Sequence, residues 1–450
     1  MSENAKLTRG SIRGHLVSQT LPAIIGVAAM MSIGLVDSYF IGQLSSDALA
    51  AIAFIFPVSV AISSLGVGMM VGINSVVSRA LGEGDLDKSA RRANFGIALA
   101  SGAGFLLGAL LYLLHDPLFR LLNADAALLP LIRAYMVPYA IGMPLILTVM
   151  GVNGVLRAQG EARKTSYVSL IYAIANWVLD PILITGAFGF GGFGISGAAY
   201  ATLIGWVFGL ALALWLMRGT SLPLDLMLVK NCHKREQFAA IMRVAAPASL
   251  SNAINPIGLA VLTALLASEG SNAVAGFGAA GRVQSFALVP LLALSGSIGA
   301  IVGQNWGAAQ FERARQAMLG AGIFALAWGL AMAVLLTSFS EWFAGFFTDE
   351  PEVISQFVRY LSIAAWGYAG FGVLITANGA LNAVGKASLS LIQSFARVFL
   401  VMLPIAWLLR SAWGSPAIYA AELAANLIGG TIAALVVWRV LTRNRPAEQA

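Results

Sequence analysis

Apolar residues run along this chain in blocks of about twenty, long enough for a helix to cross a bilayer. Short clusters of Gly, Pro, Asn and charged residues separate them. Twelve blocks are visible, at residues 14–41, 48–78, 93–115, 130–156, 166–187, 195–217, 241–267, 274–303, 317–339, 357–382, 388–409 and 416–438. Lipid offers backbone N–H and C=O groups no partner, so the blocks must be helices, and the strict alternation of a barrel strand is absent. The pattern predicts an all-α integral membrane protein with twelve transmembrane helices in a lipid bilayer.

The pattern also repeats. Pro22 of "TLPAIIG" and Pro247 of "AAPASLS" stand 225 residues apart. The same offset aligns "SSDALAAIAF" with "GSNAVAGFGA", "ALGEGDLDKSARR" with "NWGAAQFERARQA", and "NGVLRAQGEA" with "NGALNAVGKA". One offset across four separate blocks indicates duplication. Six helices is an even number, so both halves enter the membrane in the same sense, as a parallel repeat. The expected organisation is two pseudo-symmetric six-helix lobes, residues 1–217 and 241–450, joined by a cytoplasmic linker at 218–240. Such paired lobes are an architecture of alternating-access carriers.

Charge then orients the chain. Only 10% of its residues are charged, against about 25% in a soluble domain. With the amino terminus placed in the cytosol, 21 of the 27 Lys and Arg residues, from Lys6 and Arg9 through Arg157 to Arg439 and Arg445, fall on the inner side. Arg120, Arg133, Arg359 and Arg410 fall outside, and Arg282 and Arg397 fall within spans. Both termini are therefore expected in the cytoplasm, with the protein in the cell (inner) membrane. The net charge of +7 reads as this asymmetry and not as a nucleic-acid surface. Lys6, Arg9 and Arg13 precede a long apolar run with no small-residue cleavage site, which reads as a first membrane helix and not a removed signal peptide. A lone cysteine, Cys232, allows no intramolecular disulfide.

Carboxylates inside such spans are costly and point to function. The first half has Asp37 in its first span and Asp180 in its fifth. Both helices run outward, which places Asp37 roughly 8 Å and Asp180 roughly 10 Å below the outer surface at 1.5 Å per residue. Thr202 in the returning sixth helix reaches a similar depth. Asn176 lies four residues before Asp180 and shares its helix face. Pro181 has no N–H and frees the Trp177 carbonyl. Carboxylate, amide, hydroxyl and carbonyl oxygens at one level suit a proton or a small hard cation such as sodium. Two adjacent carboxylates in low dielectric cannot both ionise easily, which makes the pair a candidate proton carrier. Pro22, lower in the first helix, is a candidate hinge.

The second half departs from this pattern. Leu262 and Ile405 occupy the positions equivalent to Asp37 and Asp180. Its candidates for the cleft between lobes are Glu422, Arg282 and the amides Asn252, Asn255, Asn378 and Asn382. His15, His115 and His233 lie far apart and form no metal site. HExxH, GxSxG and phosphate-loop patterns are absent, so an enzyme or an ATP-driven pump is not expected and no cofactor is implied. The glycine-rich "GAFGFGGFGISG" reads as an outer turn.

These residues resemble the multidrug and toxic compound extrusion (MATE) family over nearly the whole chain. "LPAIIG" with "LVDSYFIGQLSSDALAA" is similar to its first helix and following turn, "ANWVLDPILI" to its fifth, "GISGAAYAT" to the start of its sixth, and "RVQSFALVP" with "VGQNWGA" to its eighth. The resemblance implies a monomeric antiporter that expels cationic or amphipathic drugs while protons or sodium ions move inward. It implies a cation site at Asp37, Asn176, Asp180 and Thr202, and a first-helix bend at Pro22. The NorM-like branch also carries acids in the seventh and tenth helices. Here the seventh-helix position resembles Asn255 and the tenth span has no acid, so the chain resembles the DinF-like branch more. A lipid or lipid-linked oligosaccharide flippase of the same superfamily is the alternative, and it would need a more cationic cleft.

Overall fold

The computed structural model describes residues 5–443 apart from 190, 226, 231 and 232. Cys232 and Arg445 lie outside the described residues. Eleven helices among the described residues are long and apolar enough to cross a membrane, and a bent pair makes a twelfth. In chain order they are α1 (Ile12–Gly42), α2 (Ser46–Glu83), α3 (Leu86–Leu121), α4 (Leu129–Ala158), α5 (Ala162–Leu183), α6 (Ile195–Arg218), α7 (Lys234–Ala267), α8 (Ser271–Ala287 with Val289–Gly307, bent by 44°), α9 (Phe311–Ser338), α10 (Pro351–Ala383), α11 (Ala387–Trp413) and α12 (Ser415–Thr442). The described residues contain no strand.

The helices run past the apolar blocks where caps allow it. At the α2–α3 junction Gly84 takes φ 82° and ends one helix, and Asp85 accepts from the Lys88 N–H to start the next. The break in α8 falls beside Pro290, whose ring has no N–H, and Trp328 on α9 donates to the Ala287 carbonyl there at 2.9 Å. Helix α5 ends at Leu183, short of the expected 187. Pro181 weakens its last turn and Gly186, at φ 80°, turns the chain away. The N–H groups of Phe193 and Gly194 then donate back to the Leu183 and Ile184 carbonyls at 2.7 and 3.2 Å. The glycine-rich outer turn is therefore folded against the end of α5. Helix α7 begins at Lys234, inside the stretch expected to be linker. The preceding segment docks on α3, where Asn94 accepts from the Asp225 N–H at 2.7 Å.

Each lobe has its own core, and each core borrows from the other lobe. Leu7, from the segment before α1, packs into the core of the carboxyl-terminal lobe. Ile241 and Ala245, from the start of α7, pack into the core of the amino-terminal lobe. These exchanges lie at the end of the bundle that holds both termini. Bare backbone makes them possible: a methyl on Gly72 of α2 would stand 2.8 Å from the Ala245 Cβ. Gln304 at the end of α8 bridges the lobes. It accepts from the Leu7 N–H at 3.0 Å and donates to the Ala158 carbonyl at 2.6 Å. Asn305 donates to the Leu7 carbonyl at 3.1 Å, and Lys6 pairs with Glu161 at 2.6 Å.

Gln304→Ala leaves a buried donor and a buried acceptor unmatched at about 1–3 kcal/mol each. The expected result is a lower thermal midpoint for the purified protein. Gln43→Ala, at an exposed position at the opposite end, should leave the midpoint unchanged.

Candidate functional site

Helices α1 and α5 lie parallel, and three contacts share one register. Ser166 donates to the Pro22 carbonyl at 2.6 Å across a separation of 144 residues. Trp177 donates from Nε1 to Ser32 Oγ at 3.1 Å across 145. Asp37 and Asp180 follow further along the two helices, at nearly the same offset, and their carboxyl groups are neighbours. Equal rise in two parallel helices keeps the acids level. Gly26 permits the approach, since a methyl there would stand 3.2 Å from the Ser166 Cα.

Asp180 is fully buried and Asp37 half-buried. Neither Asp180 oxygen, nor Asp37 Oδ1, has a hydrogen-bond donor among the described residues. Two ionised carboxylates cannot donate to one another. One proton between them supplies the missing donor and removes the repulsion at once.

Asn176 shares the buried face of α5 with Asp180, as its spacing predicts. Its amide turns elsewhere. Nδ2 donates to the Tyr172 carbonyl at 2.9 Å, and Oδ1 accepts from Thr202 Oγ1 at 3.3 Å. Asn176 and Thr202 are thus joined to each other, and neither donates to the buried carboxyl oxygens. Gly205, one turn below Thr202, leaves room for them: a methyl there would stand 2.7 Å from Asn176 Nδ2. Tyr172 stacks on Trp206 with ring centroids 4.3 Å apart. Tyr135 and Tyr139 of α4 complete an aromatic shell, with Tyr135 close enough to feel both acids. Sequence reasoning missed these tyrosines, although their four-residue spacing placed both on one helix face.

The carboxyl-terminal lobe holds a different cluster. Glu422 is buried and accepts from Gln284 Nε2 at 2.9 Å and from the Tyr360 hydroxyl at 3.0 Å. Arg282 is exposed and does not reach the cleft. The buried positions of its helix are Ala273, Gly276, Phe277, Ala280, Gln284 and Ala287, a helical stripe that turns Arg282 outward. Arg397 reaches inward instead. It lies in a π-turn from Ala396 to Met402, just before Pro404 removes a ladder donor. Its Nη1 donates to Asn426 Oδ1 at 2.6 Å and its Nη2 to Asn255 Oδ1.

Between the lobes lies a cavity of about 470 Å³. Val27 of α1 lines it, as do Asn255, Asn378, Arg397 and Arg157. Sequence position alone makes Arg157 a cytosolic charge. The end of α4 is in fact enclosed, with Gln159 1% exposed and Leu7 against Gly160. Among the described residues the cavity wall contains no carboxylate.

Two helical lobes joined at one end, with a cavity between them and a buried polar site off its axis, form an arrangement used by membrane transporters. The family model MatE matches residues 22–182 and 247–408, and the chain belongs to that family. It is 34% identical over 406 residues to a protein of Shewanella oneidensis described as an FAD transporter, covering 90% of each chain. It is 26% identical over 411 residues to the probable multidrug resistance protein YpnP of Bacillus subtilis, again covering 90% of each. Its fold matches a mutant of the Vibrio cholerae MATE transporter VcmN, with a TM-score of 0.92 and 29% identity over 96% of this chain and 98% of that one. The bent form of VcmN matches with a TM-score of 0.90 and the same identity over 96% and 97%.

Thr202→Val should strand the buried Asn176 oxygen and destabilise the amino-terminal lobe by about 1–3 kcal/mol. Thr202→Ser should restore stability. Thermal unfolding of the purified variants checks both.

Proposed function

We propose that the protein is a secondary antiporter that expels small amphipathic compounds through the central cavity in exchange for protons. The observation that carries this reading is the buried Asp180, whose two oxygens lack any donor beside the neighbouring Asp37. A proton satisfies that pair with no further ligand. Sodium would draw on the Asp37, Asp180, Asn176 and Thr202 oxygens together, whereas a proton needs only the two carboxyl groups. With both termini in the cytoplasm of the cell membrane, the closed end of the bundle is cytoplasmic and the acids lie near the outer surface. A proton arrives at Asp37 from outside and settles against Asp180. The pair is then free to close, and α1 adjusts about Pro22. Val27, on the same helix between Pro22 and Asp37, lines the cavity, so that adjustment changes the substrate's surroundings. Ion and substrate bias one equilibrium in opposite directions, which is the requirement for exchange.

A single chain holds both the acids and the cavity, which supports a monomer as the working unit. Asn255 bound to Arg397, and the lack of an acid in the tenth apolar block at 357–382, support the DinF-like assignment. The cavity wall has arginines and no carboxylate, which favours neutral or anionic amphipaths over cations. A flavin dinucleotide is a specific second reading, supported by the relative from Shewanella oneidensis and by those arginines.

The test is transport in liposomes under an imposed proton gradient or an imposed sodium gradient. The expected result is efflux driven by protons, reduced at least tenfold in Asp37→Asn and Asp180→Asn with folded protein. Efflux driven by sodium alone, or undiminished in both variants, would overturn the proton reading.

A further inference from the structure

The central cavity holds two cations that proton coupling does not use. Arg157 comes from α4 of one lobe and Arg397 from α11 of the other. Arg157 makes no hydrogen bond or ion pair with any described residue, and its buried Nε has no acceptor. Its Nη1 occupies the space where a side chain on Gly296 of α8 would stand, so the glycine lets it reach across to the other lobe. Arg397 is 4% exposed and bonds only neutral amides, and its guanidinium lies 5.1 Å over the Phe371 ring. Its Nε is also buried without an acceptor. The nearby acid, Glu422, is held by Gln284 and Tyr360. Among the described residues the cavity wall therefore carries two guanidinium groups and no carboxylate: Arg157 has no acid partner, and Glu422, the acid near Arg397, is not part of the wall. An unmatched charge in such a place is costly.

We propose that Arg157 and Arg397 form an anion subsite that holds the phosphate group of a phosphorylated organic substrate. Guanidinium groups present planar donor forks that match phosphate oxygens. A phosphate monoester or diphosphate carries about two charges and balances both arginines, whereas a carboxylate balances one. The rest of the wall suits an apolar or aromatic body. Val67, Met70 and Leu374 are apolar, and Asn74, whose Oδ1 has no partner among the described residues, adds an amide that can orient a polar edge. A soluble phosphorylated metabolite and a phosphorylated lipid headgroup share this chemistry. The subsite rests on the reading of the cavity as the transport path.

The test is equilibrium binding to the full-length protein in nanodiscs, without an ion gradient, using riboflavin and riboflavin 5′-phosphate. The two probes differ only by the phosphate. The expected result is at least tenfold tighter binding of the phosphorylated probe. Arg157→Gln should erase that difference without changing riboflavin binding, and Arg157→Lys should keep part of it. No described residue bonds to the Arg157 side chain, so Arg157→Gln should fold, and its thermal midpoint verifies this. If the midpoint falls, Gly296→Ala, which displaces the guanidinium without removing it, should give the same loss. Adenosine diphosphate and a polyprenyl phosphate are then added as competitors. Displacement by the first assigns a soluble substrate, and displacement by the second a lipid. Equal affinity for the two flavins, or equal loss of both in Arg157→Gln, would overturn the subsite. Selective phosphate binding without proton-driven efflux would leave the subsite standing and remove the antiport reading.

Discussion

A charge buried in low dielectric must be matched by another charge, by a proton or by a ligand. Two places in this MatE-family protein meet that constraint with opposite signs. In the amino-terminal lobe, Asp37 and Asp180 stand together without donors. In the cavity, Arg157 and Arg397 stand without acids. Glu422, by contrast, is satisfied by Gln284 and Tyr360. The unmatched pairs therefore mark where an exchangeable species belongs. In the proposed exchange one pair takes a proton and the other an anion.

Helix α1 joins these two places. Pro22 is tied to Ser166, Val27 lines the cavity, and Asp37 faces Asp180 further along. A change at one end of α1 is felt at the other because the helix is continuous over Ile12–Gly42 in this state. The exchanged contacts of Leu7 and Ala245 hold the lobes together at the end bearing the termini. They leave the opposite half, where the acids lie, free of that clasp. In the proposed exchange, protons and substrate act on a structure already fastened at one end.

Much of this was legible in the sequence. Helix α1 and its partners follow from apolar blocks, because lipid permits one local solution to the backbone's hydrogen-bonding needs. The level meeting of Asp37 and Asp180 follows from counting residues along parallel helices. Arg282 and Arg157 show where the count stops working. Sequence position places both near or within spans, but which way each points depends on helix rotation and on neighbours distant in the chain. Arg282 turns outward with its stripe. Arg157 reaches over Gly296 of the other lobe, while Leu7 and Gln304 cover the neighbouring Gly160 and Ala158 at the end of α4. No local pattern around Leu7 announces a residue that plugs the other lobe. The tyrosine shell was visible as spacing on α4 but had no meaning until α5 was packed against it.

In the proposed exchange, proton and substrate bind in opposition through the Asp37–Asp180 pair, and proton release is the sharpest test of that opposition. Purified protein in weakly buffered solution with a pH indicator receives a transported substrate. The predicted result is release of protons on substrate addition, saturating with binding and absent in Asp180→Asn. Substrate binding without proton release from the unaltered protein would contradict it.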